Sequence, residues 1–184
     1  MPPTRRDLLA AGLGFAATPE LLQAWQHAHD AVRSAAPVES LQPEVASEIE
    51  ALASIILPSG DGPGAREAGV IHFIDRALGS FDKDQSGLYR EGLEAAQAAR
   101  RKLFPGSSAI ATLTEAQQIE LVKTIESTPF FEALRTHTIL GFLGNASYGG
   151  NRNRAGWTHI GFDDRMSFQP PFGYYDAEAA ENAK

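Results

Sequence analysis

The sequence predicts an all-α protein. It reads as a single domain of about five helices, with a long irregular glycine- and aromatic-rich segment and an extended C-terminal tail. Three observations carry this prediction. Apolar residues recur every three or four positions in successive stretches from residue 43 onward. Recognisable helix starts precede several of those stretches. No run alternates apolar and polar residues over a length that would make a strand.

Taken in order, residues 1–35 read as an export signal and linker, 40–165 as the helical domain, and 166–184 as an arm or disordered tail. Thr4-Arg5-Arg6-Asp7-Leu8-Leu9 is a twin-arginine pattern, followed at once by the apolar run 8–17 (LLAAGLGFAA). That run is too short for an ordinary transmembrane helix, which needs roughly 20 apolar residues. The bland alternative is that the arginine pair opens an amphipathic helix from 5 to 25. His27 and His29 fall in the linker region without carboxylate or cysteine support, which fits solvent exposure better than metal binding.

Pro43 suits a first helical position, and Val45, Ile49, Leu52 and Ile56 then share one face. The run 58–64 (PSGDGPG) breaks the chain. A second helix is predicted over 65–81, with Ala68, Ile71, Ile74 and Leu78 on one stripe and Val70 and Phe73 beside it. A third, over 84–104, places Leu88, Gly92, Ala96, Ala99 and Leu103 inward; its closing Arg100-Arg101-Lys102 complements the helix dipole. Thr114-Glu115-Ala116-Gln117 is a capping box for a helix reaching about Ser127, with Ile119, Val122 and Ile125 inward. Thr128-Pro129 caps a fifth, apolar helix through Leu134, Ile139, Phe142 and Leu143. Beyond it the chain turns irregular, with glycines and asparagines that accept left-handed turns set among Tyr148, Trp157 and Phe162.

Bulk properties narrow the function classes. Hydrophobic content of 43% is enough for a real core. A net charge of −7 argues against a general nucleic-acid binder and against a polybasic membrane-binding surface on this chain. The absence of cysteine excludes disulfides, thiolate zinc sites, cysteine-ligated iron–sulfur clusters and a cysteine nucleophile.

A search for chemistry yields little. His72 and Asp75 lie three apart on one predicted helix, which fits a half-buried hydrogen bond better than a ligand site. There is no H-E-x-x-H, no repeated E-x-x-H, no Walker A and no dinucleotide fingerprint. Asp61 and Asp163-Asp164 stand outside any EF-hand frame, and His137 and His159 read as structural. No catalytic residue and no metal ligand is assigned.

The twin-arginine route carries proteins that are already folded, yet this chain shows no cofactor site of its own. The economical explanation is that its signal exports something bound to it. The irregular segment then becomes candidate docking surface, because Tyr, Trp and Arg are enriched at interface centres. The candidate contacts are Tyr148, Asn151, Arg152, Arg154, Trp157 and Phe162, with Phe172, Tyr174 and Tyr175 in the tail; Arg152 and Arg154 are expected to face outward. The competing reading of the segment is an Ω-like cover over the protein's own core, and it weighs about evenly for Trp157 and Phe162.

Several motifs in order resemble the gluconate 2-dehydrogenase subunit 3 family. They are Ile55-Ile56-Leu57-Pro58, then Asp61-Gly62-Pro63-Gly64-Ala65-Arg66-Glu67-Ala68-Gly69-Val70, and Phe73-Ile74-Asp75. In the second half they are Phe130-Phe131, Leu134-Arg135, Thr138, Gly141-Phe142, Tyr148-Gly149-Gly150-Asn151, Gly156-Trp157 and Ile160-Gly161-Phe162. The resemblance spans roughly residues 40 to 165; the tail beyond Phe162 matches no family motif.

The resemblance implies a non-catalytic small subunit of a membrane-associated dehydrogenase. Its large subunit would be a flavoprotein of the glucose–methanol–choline class, holding FAD and oxidising a sugar, sugar acid or polyol. Electrons would pass towards a cytochrome c subunit or another acceptor. The small subunit would help its partner fold and load flavin, and carry it through the twin-arginine translocase to the periplasm, where the complex can sit at the inner membrane. The resemblance supplies no catalytic residues, and it implies no cofactor in this chain.

Two rivals make different predictions. A stand-alone metal-dependent enzyme requires His72, Asp75 and His159 to converge in a cleft. A ligand-binding helical protein requires a deep apolar pocket between helices. The escort reading requires a broad exposed apolar face.

Overall fold

The computed structural model describes residues 37–165, together with Ser167, Gly173, Glu178, Ala179 and Glu181. Arg5, Arg6, Phe172, Tyr174 and Tyr175 lie outside the described residues. Among the described residues the order is α1 (Pro43–Ile56), α2 (Val70–Gly79), α3 (Ser86–Leu103), α4 (Glu115–Ile125), α5 (Pro129–Leu143) and the short α6 (Ala155–His159). Brief 3-10 turns join them, and these residues form no strand.

The middle of the bundle is α2, whose Val70, Ile71, Phe73, Ile74, Asp75, Ala77 and Leu78 are all buried. It lies against α5 and α1, while α3 and α4 close the other side of the core. Ile49, Leu52, Ile74, Ile110, Leu121, Phe130 and Leu134 are its largest fully buried apolar side chains. Tyr89 of α3 meets Phe130 of α5 edge-on, with ring centroids 5.4 Å apart.

The helix starts follow local chemistry. Pro43 opens α1. The Thr114 hydroxyl accepts from the Gln117 amide at 3.4 Å, and Gln117 Oε1 accepts from the Thr114 amide at 3.0 Å, completing the capping box of α4. The Thr128 hydroxyl accepts from the Phe131 amide at 3.2 Å to start α5.

The helix expected over 65–81 is shorter, because residues 65–69 form a turn that ends on Gly69 at φ 64. That left-handed backbone favours glycine and sets α2 off in a new direction. The turn closes through the Ala65 amide donating to Leu57 O at 2.9 Å and the Val70 amide donating to Ala65 O at 3.0 Å.

Two inward faces differ from expectation. In α3 the buried set is Tyr89, Leu93, Ala96 and Arg100, while Leu103 is exposed. The face turns because both long polar side chains find partners inside. Tyr89 Oη bonds His137, and Arg100 donates to Gln97 Oε1 and to the carbonyl and hydroxyl of Ser107. Arg100 therefore pins the loop after α3 as well as standing at a helix C-terminus. In α4, Leu121 faces inward with Val122 and Ile125, and Ile119 is exposed.

Candidate docking surface

The fifth helix carries more apolar residues than one buried stripe can take. Leu134, Gly141 and Phe142 face the core with His137 and Thr138. Ile139, Leu140 and Leu143 fall on the opposite side, 44%, 48% and 37% exposed. The helix is thus apolar on two faces, and the outer one has no covering element among the described residues.

The chain after α5 extends that outer face. Gly144 ends the helix, and the Asn145 side chain accepts from the Ser147 amide at 2.9 Å to start the turn Ala146–Tyr148. The Arg76 guanidinium of α2 donates to Ser147 O at 3.0 Å and ties the turn to the bundle. Asn151, Asn153 and Arg154 then take left-handed backbone, the last an unusual conformation for a long side chain. They reverse the chain so that α6 returns against the end of α5. Gly156 is needed there, since a Cβ would drive into the Phe142 carbonyl. Trp157 Nε1 donates to Leu143 O at 2.6 Å, and the Trp157 and Phe162 rings stand 5.1 Å apart. The result is a ridge running from the outer face of α5 through Leu143 and Trp157 to Phe162, which is 53% exposed.

The residues singled out in the sequence divide into two groups. Tyr148 and Phe162 are more than half exposed, and Trp157 is half-buried at the ridge. Asn151 is not a surface group: it is 0% exposed. Its Nδ2 donates to Gly144 O and its Oδ1 accepts from the Gly156 amide, both at 2.9 Å. Both halves of the amide are spent on holding the loop, so Asn151 shapes the ridge from beneath.

The two arginines are also drawn inward, against expectation. The Arg152 side chain packs over Gly69 and donates to His72 Nε2 at 3.0 Å, while its backbone amide donates to Ala68 O at 2.8 Å. Arg154 pairs with Asp164 at 3.1 Å and lies over the Trp157 ring at 5.7 Å. Each finds a better partner within the fold than in water. Ile139, Leu140 and Leu143 escaped sequence analysis as surface residues, although apolar side chains on both sides of one helix were the signal.

The residues a cleft enzyme would need serve three separate ends. Asp75 is buried, and its carboxylate accepts from the backbone amides of Glu39, Ser40 and Leu41 at 2.8–2.9 Å. It ties down the chain that enters α1. His72 is held below its ordinary pKa, first by burial and then by the Arg152 charge, so it accepts as the neutral ring. His159 meets the Phe142 ring edge-on at 6.3 Å and lies beside Gly62. A third histidine, His137, is buried between Tyr89 Oη at 2.8 Å and Asp82 Oδ2 at 2.9 Å. Burial, and secondarily the Asp82 charge, pushes the Tyr89 hydroxyl above its ordinary range, so it stays protonated. Among the described residues no three His, Cys, Asp or Glu side chains come together in a group that could hold a metal ion. No described helix is long and apolar enough to cross a membrane.

Comparison with known proteins gives one positive result. No curated protein and no solved structure matches the chain. The family model for gluconate 2-dehydrogenase subunit 3 matches residues 43–164, from the first residue of α1 to the carboxylate that clips Arg154. With all six helices and the whole ridge inside that match, the chain belongs to the gluconate 2-dehydrogenase subunit 3 family, whose members are accessory subunits of a dehydrogenase.

Proposed function

We propose that this chain is the non-catalytic small subunit of a periplasmic FAD-dependent dehydrogenase of the glucose–methanol–choline class. It escorts the catalytic subunit through folding and twin-arginine export and stays bound to it. The partner holds FAD, oxidises a sugar, sugar acid or polyol, and passes electrons to a cytochrome c subunit or another acceptor; the complex resides at the periplasmic side of the inner membrane. The observation that carries the reading is the ridge of Ile139, Leu140, Leu143, Trp157 and Phe162, without a cover among the described residues, on a chain of an accessory-subunit family. Apolar side chains exposed on a helix and the loop beside it gain free energy when another surface covers them.

Recovery of the tagged chain from its native host, followed by an absorption spectrum of the eluate, tests the association. A flavin spectrum with sugar- or polyol-dependent dye reduction is expected; a colourless, solitary protein overturns the reading. Export is tested separately by replacing Arg5 and Arg6 with lysine. Dehydrogenase activity should then remain in the cytoplasm, and undiminished activity in the periplasm would show that the partner travels by another signal.

A further inference from the structure

A second feature lies away from the ridge. Between α1 and α3 runs a groove of about 800 Å³. Leu41, Val45, Ile49, Leu78, Tyr89 and Leu93 form its floor and walls. The polar groups at its base are already engaged: Glu48 Oε2 accepts from the amides of Ile110 and Ala111 at 2.7 and 3.2 Å, and Tyr89 Oη bonds His137. The floor therefore suits an apolar occupant rather than a polar small molecule. The groove is also long, since α3 lines it from Ser86 to Arg101, about 22 Å along the helix.

The position of the groove points to its occupant. Ser40, Leu41 and Gln42 form one edge, fixed there by the amides of Ser40 and Leu41 on Asp75. The described residues begin at Pro37, three before Ser40 on that edge. The stretch before Pro37 contains the uncharged run 8–17, about 15 Å long as a helix, and the intervening residues 18–36 reach up to about 60 Å. Arg5 and Arg6 precede the run, while the groove's rim carries both signs, Glu44 and Glu94 together with Arg90 and Arg101. We infer that the groove seats the chain's own residues 8–17, sheltering the apolar run from water until export. Length and apolar character match this segment. The inference does not depend on the identity of the dehydrogenase partner.

Photo-crosslinking in the full-length chain tests it. A benzoylphenylalanine at position 97, in the groove wall, should crosslink to the tryptic peptide 7–33. The same probe at position 91, on α3 but outside the groove, should not. In a mixture of isotopically light and heavy chains the adduct should join segments of one chain, at a yield unchanged by tenfold dilution. Leu13→Asp should lower the yield at least fivefold. Absence of the adduct from position 97, equal yield from position 91, or adducts joining light to heavy chains would each overturn the assignment. So would capture of a second subunit in place of peptide 7–33.

Discussion

Asn151 combines a left-handed backbone with a side chain whose donor and acceptor are both consumed inside the protein. Asn151→Ala should lose both hydrogen bonds and, with them, the side-chain amide that makes φ 49 tolerable, costing about 2–3 kcal/mol. Asn151→Gly accepts the backbone and should recover about 1 kcal/mol of that, a ranking that calorimetric melting can check. The sequence marked Asn151 as special but gave it to a partner. A turn-forming asparagine and a buried one share the same local signal, and only the three-dimensional fold shows that Gly144 O and the Gly156 amide await it. His72 supports a prediction in pH. Its folded pKa is depressed, so the unfolded chain takes up the proton first as pH falls below about 6.5. The stability it contributes is full above that value and declines towards its lower folded pKa. His72→Gln keeps an acceptor for Arg152 and removes the titration. The melting temperature of the variant should therefore fall less between pH 7 and pH 5.5 than that of the parent, and parallel curves would refute the assignment.

The starts at Pro43, Thr114 and Thr128 were legible in the sequence and the inward faces of α3 and α4 were not, for one physical reason. The capping box at Thr114 and the Thr128-Pro129 start are made by residues at most three apart, so the local sequence contains the whole interaction. The inward face of α3 depends on distant partners for Tyr89 and Arg100, and the 65–81 prediction passed through Gly69 because periodicity alone carries no backbone angle. The two-sided α5 is the case with functional weight. The sequence marked an apolar helix through Leu134, Ile139, Phe142 and Leu143 without assigning its faces, and Ile139, Leu140 and Leu143 face away from the core. This separates stability from association. Leu140→Glu should change the unfolding free energy by no more than about 0.5 kcal/mol, the usual scale for a surface position. A charge within a covered apolar contact should nevertheless weaken partner binding at least tenfold, corresponding to about 1.4 kcal/mol. Copurification of the flavoprotein alongside a denaturant curve reads both quantities. A large stability loss would place Leu140 in the core and remove it from the ridge. The converse holds for Asp75→Asn, which weakens a buried charged acceptor of three amides. That change should cost about 2 kcal/mol without touching the ridge, and copurification should persist wherever the variant is folded.

At the scale of the molecule, the family was readable because its motifs recur in order along the chain, and the match over residues 43–164 follows the same span. The docking ridge was only partly readable: Trp157 and Phe162 stood out by type, but the α5 residues that join them do so only once α6 folds back onto Leu143. Such a ridge links folding to assembly. A partner that binds only the folded chain stabilises it by RT ln(1 + [L]/Kd), about 2.7 kcal/mol when the free partner stands at a hundred times Kd. The melting temperature of the small subunit should therefore climb by several degrees as partner is added, and level off only logarithmically. At the same partner concentration, a ridge variant weakened a hundredfold retains about 0.4 kcal/mol of that stabilisation and should melt almost where it does alone. Titrating the purified flavoprotein into the parent and into Leu140→Glu, with melting followed on a label attached to the small subunit, compares the two curves directly. A rise in the parent that disappears in the variant assigns the coupling to the ridge; equal rises in both would move the contact to another face of the bundle.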